Sequence, residues 1–174
     1  MTVEFSRLIP VDRVPDLGSR EKLEANEEER AGLAARFELV FIRSFTGKME
    51  LKPWRKGGIR VTGRMEADVT QSCVVTLDPF DTHVAFEIER FFLGKTNAGA
   101  TQVRDVESLE GDEPDLIVDN SIDLGELAAE ELGLALDPYP RKPGAEFASA
   151  AEPEAAENTR QPFASLAALR KKGD

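Results

Sequence analysis

Between Phe37 and Val69 the sequence repeats with a period of two. Phe37, Leu39, Phe41, Phe45, Met49 and Leu51 are apolar, and Glu38, Ser44, Thr46, Lys48 and Glu50 alternate with them. Side chains of an extended strand point alternately to its two faces, so this period predicts a strand with one buried face. Arg43 interrupts the alternation, and Val40 and Ile42 make the second face partly apolar. Pro53-Trp54-Arg55-Lys56-Gly57-Gly58 supplies a turn whose glycines accept positive φ. Beyond it Ile59, Val61, Met65, Ala67 and Val69 alternate with Arg60, Thr62, Arg64, Glu66, Asp68 and Thr70. Together the two runs predict a long antiparallel hairpin lying on a core.

The flanking segments add layers to that hairpin. Residues 2–11 predict a first strand, closed by Pro10 and Pro15, and residues 16–19 a turn. Asn26 followed by Glu29 is a capping box, so a helix starts there and runs to about Arg36, with Leu33, Ala34 and Phe37 inward. Residues 71–77 continue or bend the hairpin's second strand, Asp78-Pro79 turns the chain, and residues 82–92 form another strand with Val84, Phe86 and Ile88 inward. Leu116-Ile117-Val118 is a candidate further strand, and the Gly, Thr, Asn, Asp and Glu content of residues 94–114 predicts a mobile acidic loop. Residues 123–136 form a second helix. Asp123 is its N-cap, Glu126 stands at N3, Leu124, Ala128, Leu132 and Ala135 make the inward stripe, and Pro138 and Pro140 end it.

The expected class is therefore α+β. An antiparallel, barrel-like curved sheet of four to six strands with two flanking helices occupies residues 1–140. Residues 141–161, rich in Ala, Glu, Pro and Ser, are a flexible linker, because they bury too little to order themselves. Residues 162–174 are a short C-terminal amphipathic helix: Pro162 suits a first helical position, and Phe163, Leu166 and Leu169 recur at helical spacing.

Charge narrows the function classes. The net charge is −11, a poor start for binding nucleic acid, which depends on supplied positive charge. The distribution is uneven, however. Residues 105–137 hold twelve acids and no Lys or Arg, whereas residues 48–64 hold six basic residues and one acid. No apolar run approaches the roughly 18 residues of a membrane span, and no basic-then-apolar leader is visible, so a cytoplasmic protein with no membrane partner is expected. Cys73 is the single cysteine and His83 the single histidine, which leaves no internal disulfide and no zinc ligand set; no cofactor is expected. Cys73 has no basic neighbour in sequence and reads as a small sheet residue, and His83 as a structural histidine. Gly94-Lys95-Thr96 ends like a phosphate loop, but Glu89 stands where such a loop needs its first glycine.

Two clusters are candidate binding sites. Lys52, Trp54, Arg55, Lys56, Arg60 and Arg64 place cations beside an aromatic at the hairpin tip, a combination that holds a phosphate backbone and stacks a base. The bland alternative is a solvated turn whose charges protect a sheet edge. Phe163, Leu166 and Leu169, followed by Arg170, Lys171 and Lys172, form a tethered docking peptide or a segment that packs back onto its own domain. The acids of residues 105–137 either attract a basic partner or keep the chain soluble.

Three motifs resemble one family. Ile122-Asp123-Leu124, followed by Glu130-Glu131-Leu132-Gly133-Leu134-Ala135-Leu136-Asp137-Pro138-Tyr139-Pro140, is similar to the central signature of the YceD-like proteins. Pro162-Phe163-Ala164 with Leu166, Leu169 and Arg170 resembles their terminal motif, and Cys73-Val74-Val75-Thr76-Leu77-Asp78-Pro79 stands where they carry a two-cysteine turn. Thr76 replaces the second cysteine and Val75 a basic residue, so any metal or redox role of that pair in relatives is absent here. The resemblance implies a non-catalytic role in ribosome biogenesis, supporting accumulation or processing of large-subunit (23S) ribosomal RNA. The implied partner is that RNA or a pre-ribosomal particle, with no small-molecule substrate. The alternatives are an acidic escort for a basic large-subunit ribosomal protein and a metal-dependent nuclease.

Overall fold

The period-two stretch folds as a hairpin. In this computed structural model, which describes residues 3–55, 57–94 and 114–146, β3 (Phe41–Trp54) pairs antiparallel with β4 (Gly58–Ser72) along its whole length. The interruption at Arg43 is a bulge: the register shifts between Ile42 and Ser44. One extra residue reverses which parity faces inward. Ile42 is thus buried before the bulge, Phe45, Met49 and Leu51 are buried after it, and Phe41 is half exposed.

Around the hairpin lie β1 (Leu8–Pro10), β2 (Ser19–Glu24), α1 (Glu27–Arg36), β5 (Pro79–Gly94), β6 (Asp115–Ile117), β7 (Ser121–Asp123) and α2 (Leu124–Ala135). The main sheet has the order β2-β3-β4-β5-β6, and β1 pairs with β7 in a separate ribbon. The pairs among β2 to β5 are antiparallel, but β6 runs parallel to β5.

Three expectations need correction. Among the described residues the sheet forms no closed barrel: β2 and β6 are its two end strands, and α1 and α2 pack against β3 and β5. Residues 2–11 do not supply a strand of the main sheet. Only Leu8–Pro10 is extended, and it pairs with Ser121–Asp123. The fourth antiparallel strand is Ser19–Glu24, which takes in the last residue of the turn expected at 16–19. It is an edge strand with one wet face: Leu23 is buried, while Arg20, Lys22 and Glu24 face water and blunt the edge. The expected acidic loop, apart from its end residues Gly94 and Pro114, most of the linker, and the terminal helix lie outside the described residues.

Both helices begin as their caps dictate. Asn26 accepts from the Glu29 N–H at 3.0 Å, and the Glu29 carboxylate accepts from the Asn26 N–H at 2.8 Å. At α2 the Asp123 carboxylate accepts from the N–H groups of Gly125 and Glu126, but Glu126 turns away to pair with Arg36 at 2.9 Å. Leu33 and Ala34 of α1 are buried, and so are Leu124, Leu127, Ala128, Ala129 and Leu132 of α2, whereas Ala135 is exposed. Gly125 is where α2 meets the N-terminal segment: a Cβ there would lie 2.7 Å from the Phe5 carbonyl oxygen. Phe5 itself is fully buried, its ring 5.6 Å from that of Phe45.

Candidate nucleic-acid interface

The register of β3, β4 and β5 brings the hairpin-tip residues together on the sheet's outer face. Lys52 is opposite Arg60, which is opposite Phe91; one step nearer the tip, Trp54 is opposite Gly58, which is opposite Leu93. Trp54 and Phe91 meet at 4.7 Å between centroids with an interplanar angle of 48°. The Arg55 guanidinium carbon lies 4.6 Å from the Trp54 ring centre, and that of Arg60 lies 5.8 Å from the Phe91 ring. Both distances fall within cation–π range.

The backbone makes this approach possible. Arg55 and Gly57 take positive φ, 49° and 81°, to turn the chain. A Cβ on Gly58 would sit 2.6 Å from the Trp54 carbonyl oxygen and 2.8 Å from that of Phe92, so only glycine lets β3, β4 and β5 close up at the tip.

Several of the cations already have partners. Arg60 pairs with Glu89 at 2.6 Å, Lys52 with Glu50 at 2.7 Å, and Arg64 with Glu66 at 3.3 Å. These pairs are exposed, and such pairs contribute about 0–1 kcal/mol each. A phosphate therefore competes with them at little cost. Arg64 lies further from the tip, in a cross-strand row with Lys48 and Lys22. Lys48 makes no ion pair among the described residues. Of the twelve candidate positions, Lys56 and the six from Phe163 to Lys172 lie outside the described residues.

Phe91 is the residue that the sequence reading passed over. A signal for it existed: with Val84, Phe86 and Ile88 inward, parity sends Phe91 outward, and an aromatic on a wet face stands out. The structure also gives His83 a partner. Its Nδ1 lies 2.8 Å from Asp68, which accepts from the Ser44 hydroxyl at 2.7 Å. His83 and then Ser44 hold the Asp68 carboxyl below its ordinary value. The carboxylate stands between hydroxyl and imidazole, so this is not the order that activates a nucleophile.

Cys73 is not a sheet residue. β4 ends at Ser72, and Cys73, itself buried, opens an otherwise largely exposed turn whose Val75 and Thr76 N–H groups point at its Sγ from 3.4 and 3.5 Å. The Thr76 hydroxyl, then the N–H groups of Lys142 and Thr76, push the thiol down to about 6. A hydroxyl and backbone donors thus do what no basic neighbour does. The same turn is tied to the chain after α2, since the Val74 N–H donates to the Pro140 carbonyl at 2.9 Å.

Among the described residues no group of three or more His, Cys, Asp or Glu is placed to hold a metal ion. No helix there is long and apolar enough to cross a membrane. No curated protein and no solved structure matches the chain. Residues 61–170, more than half of the sequence, match the family model of the large ribosomal RNA subunit accumulation protein YceD. That span includes β4 from Val61 onward, β5, the Cys73 turn, α2 and the terminal motif up to Arg170, and the chain belongs to the YceD family.

Proposed function

We propose that this protein is a non-catalytic cytoplasmic factor in ribosome biogenesis that supports accumulation of large-subunit ribosomal RNA by binding single-stranded segments of that RNA. The family supports the process, and the Trp54–Phe91 pair under Arg55 and Arg60 supports the contact. Stacking on an aromatic contributes about 1–3 kcal/mol per base, and flanking cations take the backbone. The net charge of −11 limits the electrostatic part, so affinity rests on stacking more than on phosphate neutralisation.

Trp54 is the sole tryptophan, so its fluorescence reports the site directly. Titration with single-stranded fragments of large-subunit ribosomal RNA is expected to quench it, with a log–log salt slope near −3 for about four phosphate contacts. Phe91→Ala is expected to weaken binding by about fivefold to a hundredfold. Quenching equal to that given by free nucleotide, unchanged in Phe91→Ala, would overturn the reading. An acidic escort for a basic ribosomal protein is the second reading, favoured by the described acids of residues 105–137 that line one groove. An escort would recover one free basic protein and no RNA.

A further inference from the structure

On the opposite face of β5 from the aromatic pair, β6, β7 and the first turns of α2 enclose a groove of about 500 Å³. Leu8, Leu116 and Val118 line it and remain 63%, 49% and 60% exposed, so its apolar floor is open. Its rim is acidic. Asp115 faces Arg90 at 3.6 Å and Glu126 faces Arg36, but Asp119 and Glu130 make no ion pair among the described residues. An open apolar floor lined by five acids and one cation, Arg90, calls for an occupant that is apolar and basic together.

The chain carries such an occupant. From residue 158 onward it has four basic residues and one acid, with Phe163, Leu166 and Leu169 ahead of Arg170, Lys171 and Lys172. The neighbouring segment 95–113 has five acids against two bases, and the rim repels it. Reach is sufficient. Fully extended, the fifteen residues between Glu146 and Pro162 reach up to about 50 Å. A folded domain of about 140 residues is roughly 40 Å across, so an extended tether reaches the groove wherever Glu146 lies. Tethering at that range gives an effective concentration on the order of millimolar.

We propose that this groove docks residues 162–172 of the same chain, with Phe163, Leu166 and Leu169 on the floor and the three terminal cations against Asp119 and Glu130. The inference does not rest on RNA binding, and either can fail without the other.

The test uses the full chain with Phe163→benzoylphenylalanine, photolysed in dilute solution and mapped by peptide mass. The expected product is a link within one chain to residues 114–127. Raising the salt is expected to lower its yield, and Glu130→Lys to lower it by about threefold. Val118→Asp is expected to abolish the link while circular dichroism stays unchanged. Combining Glu130→Lys with Lys171→Glu is expected to restore it. A link between two chains that grows with concentration would overturn the proposal. So would a link elsewhere in the chain, a yield indifferent to these variants, or transfer of the link to a basic ribosomal protein in lysate.

Discussion

Replacing Asp123 by alanine is expected to destabilise the fold by about 2–4 kcal/mol. This carboxylate joins three elements. Its Oδ1 accepts from the N–H groups of Gly125 and Glu126 at 3.0 and 3.2 Å, which caps α2. The same oxygen accepts from the Arg7 N–H at 2.7 Å, and Oδ2 accepts from the Ser6 hydroxyl at 2.5 Å. Loss of an N-cap costs about 1 kcal/mol, and hydrogen bonds to a charged group contribute about 1.5–3 kcal/mol, with donors left unpaired when the acceptor goes. These terms overlap, so their sum is an upper bound. Asp123→Asn keeps an acceptor for the cap and loses the charge, and is expected to cost about half as much. Urea denaturation followed by far-ultraviolet circular dichroism gives the free energies, and hydrogen exchange locates them. The Arg7, Gly125 and Glu126 amides are expected to exchange faster. A loss below about 1 kcal/mol, or unchanged exchange at Arg7, would refute the claim that one side chain holds the N-terminal segment to α2.

Leu132, fully buried on α2, is expected to lose about 2–5 kcal/mol on Leu132→Ala, and the 75%-exposed Leu134 less than about 0.5 kcal/mol; urea midpoints compare them. The Cys73 thiol is held near 6, below its ordinary 9.0, so its contribution to stability is fully present above the ordinary value and lost as pH falls toward 6. Ultraviolet thiolate absorbance is expected to titrate near 6, and Thr76→Val to move the midpoint upward; a step at the ordinary value in the unaltered chain would count against the turn's geometry. Gly58→Ala is expected to cost about 1–3 kcal/mol and to shift Trp54 emission, because the added methyl meets two carbonyl oxygens; an unchanged spectrum and stability would refute the close approach.

What could be read from the sequence was what local chemistry decides. The hairpin, both N-caps, the inward face of β5 and most of that of α2, Ala135 excepted, follow from period and capping residues alone. Ser19–Glu24 was hidden because an edge strand with one apolar residue has almost no period to read. The two flanking helices were legible from their caps, but the barrel-like curvature expected of the sheet has no closed barrel to match it among the described residues, because edge pairing is decided by tertiary contacts. At the site, Lys52, Trp54, Arg55 and Arg60 were legible as a cluster within one turn. Phe91 arrives from another strand through register, which no local pattern encodes. The low thiol of Cys73 depends on the Thr76 hydroxyl and on N–H groups converging from Lys142 and the turn, and no neighbouring charge announced it.

The central claim is that the outer-face aromatic pair carries the contact with large-subunit ribosomal RNA. The most direct measurement is recovery of precursor ribosomal RNA from growing cells with tagged protein, comparing the unaltered chain with the double variant Trp54→Ala and Phe91→Ala. The account predicts that the unaltered protein recovers large-subunit precursor RNA and that the folded double variant loses at least about tenfold of it. Equal recovery by the two, or recovery of a free basic ribosomal protein without RNA, would contradict it.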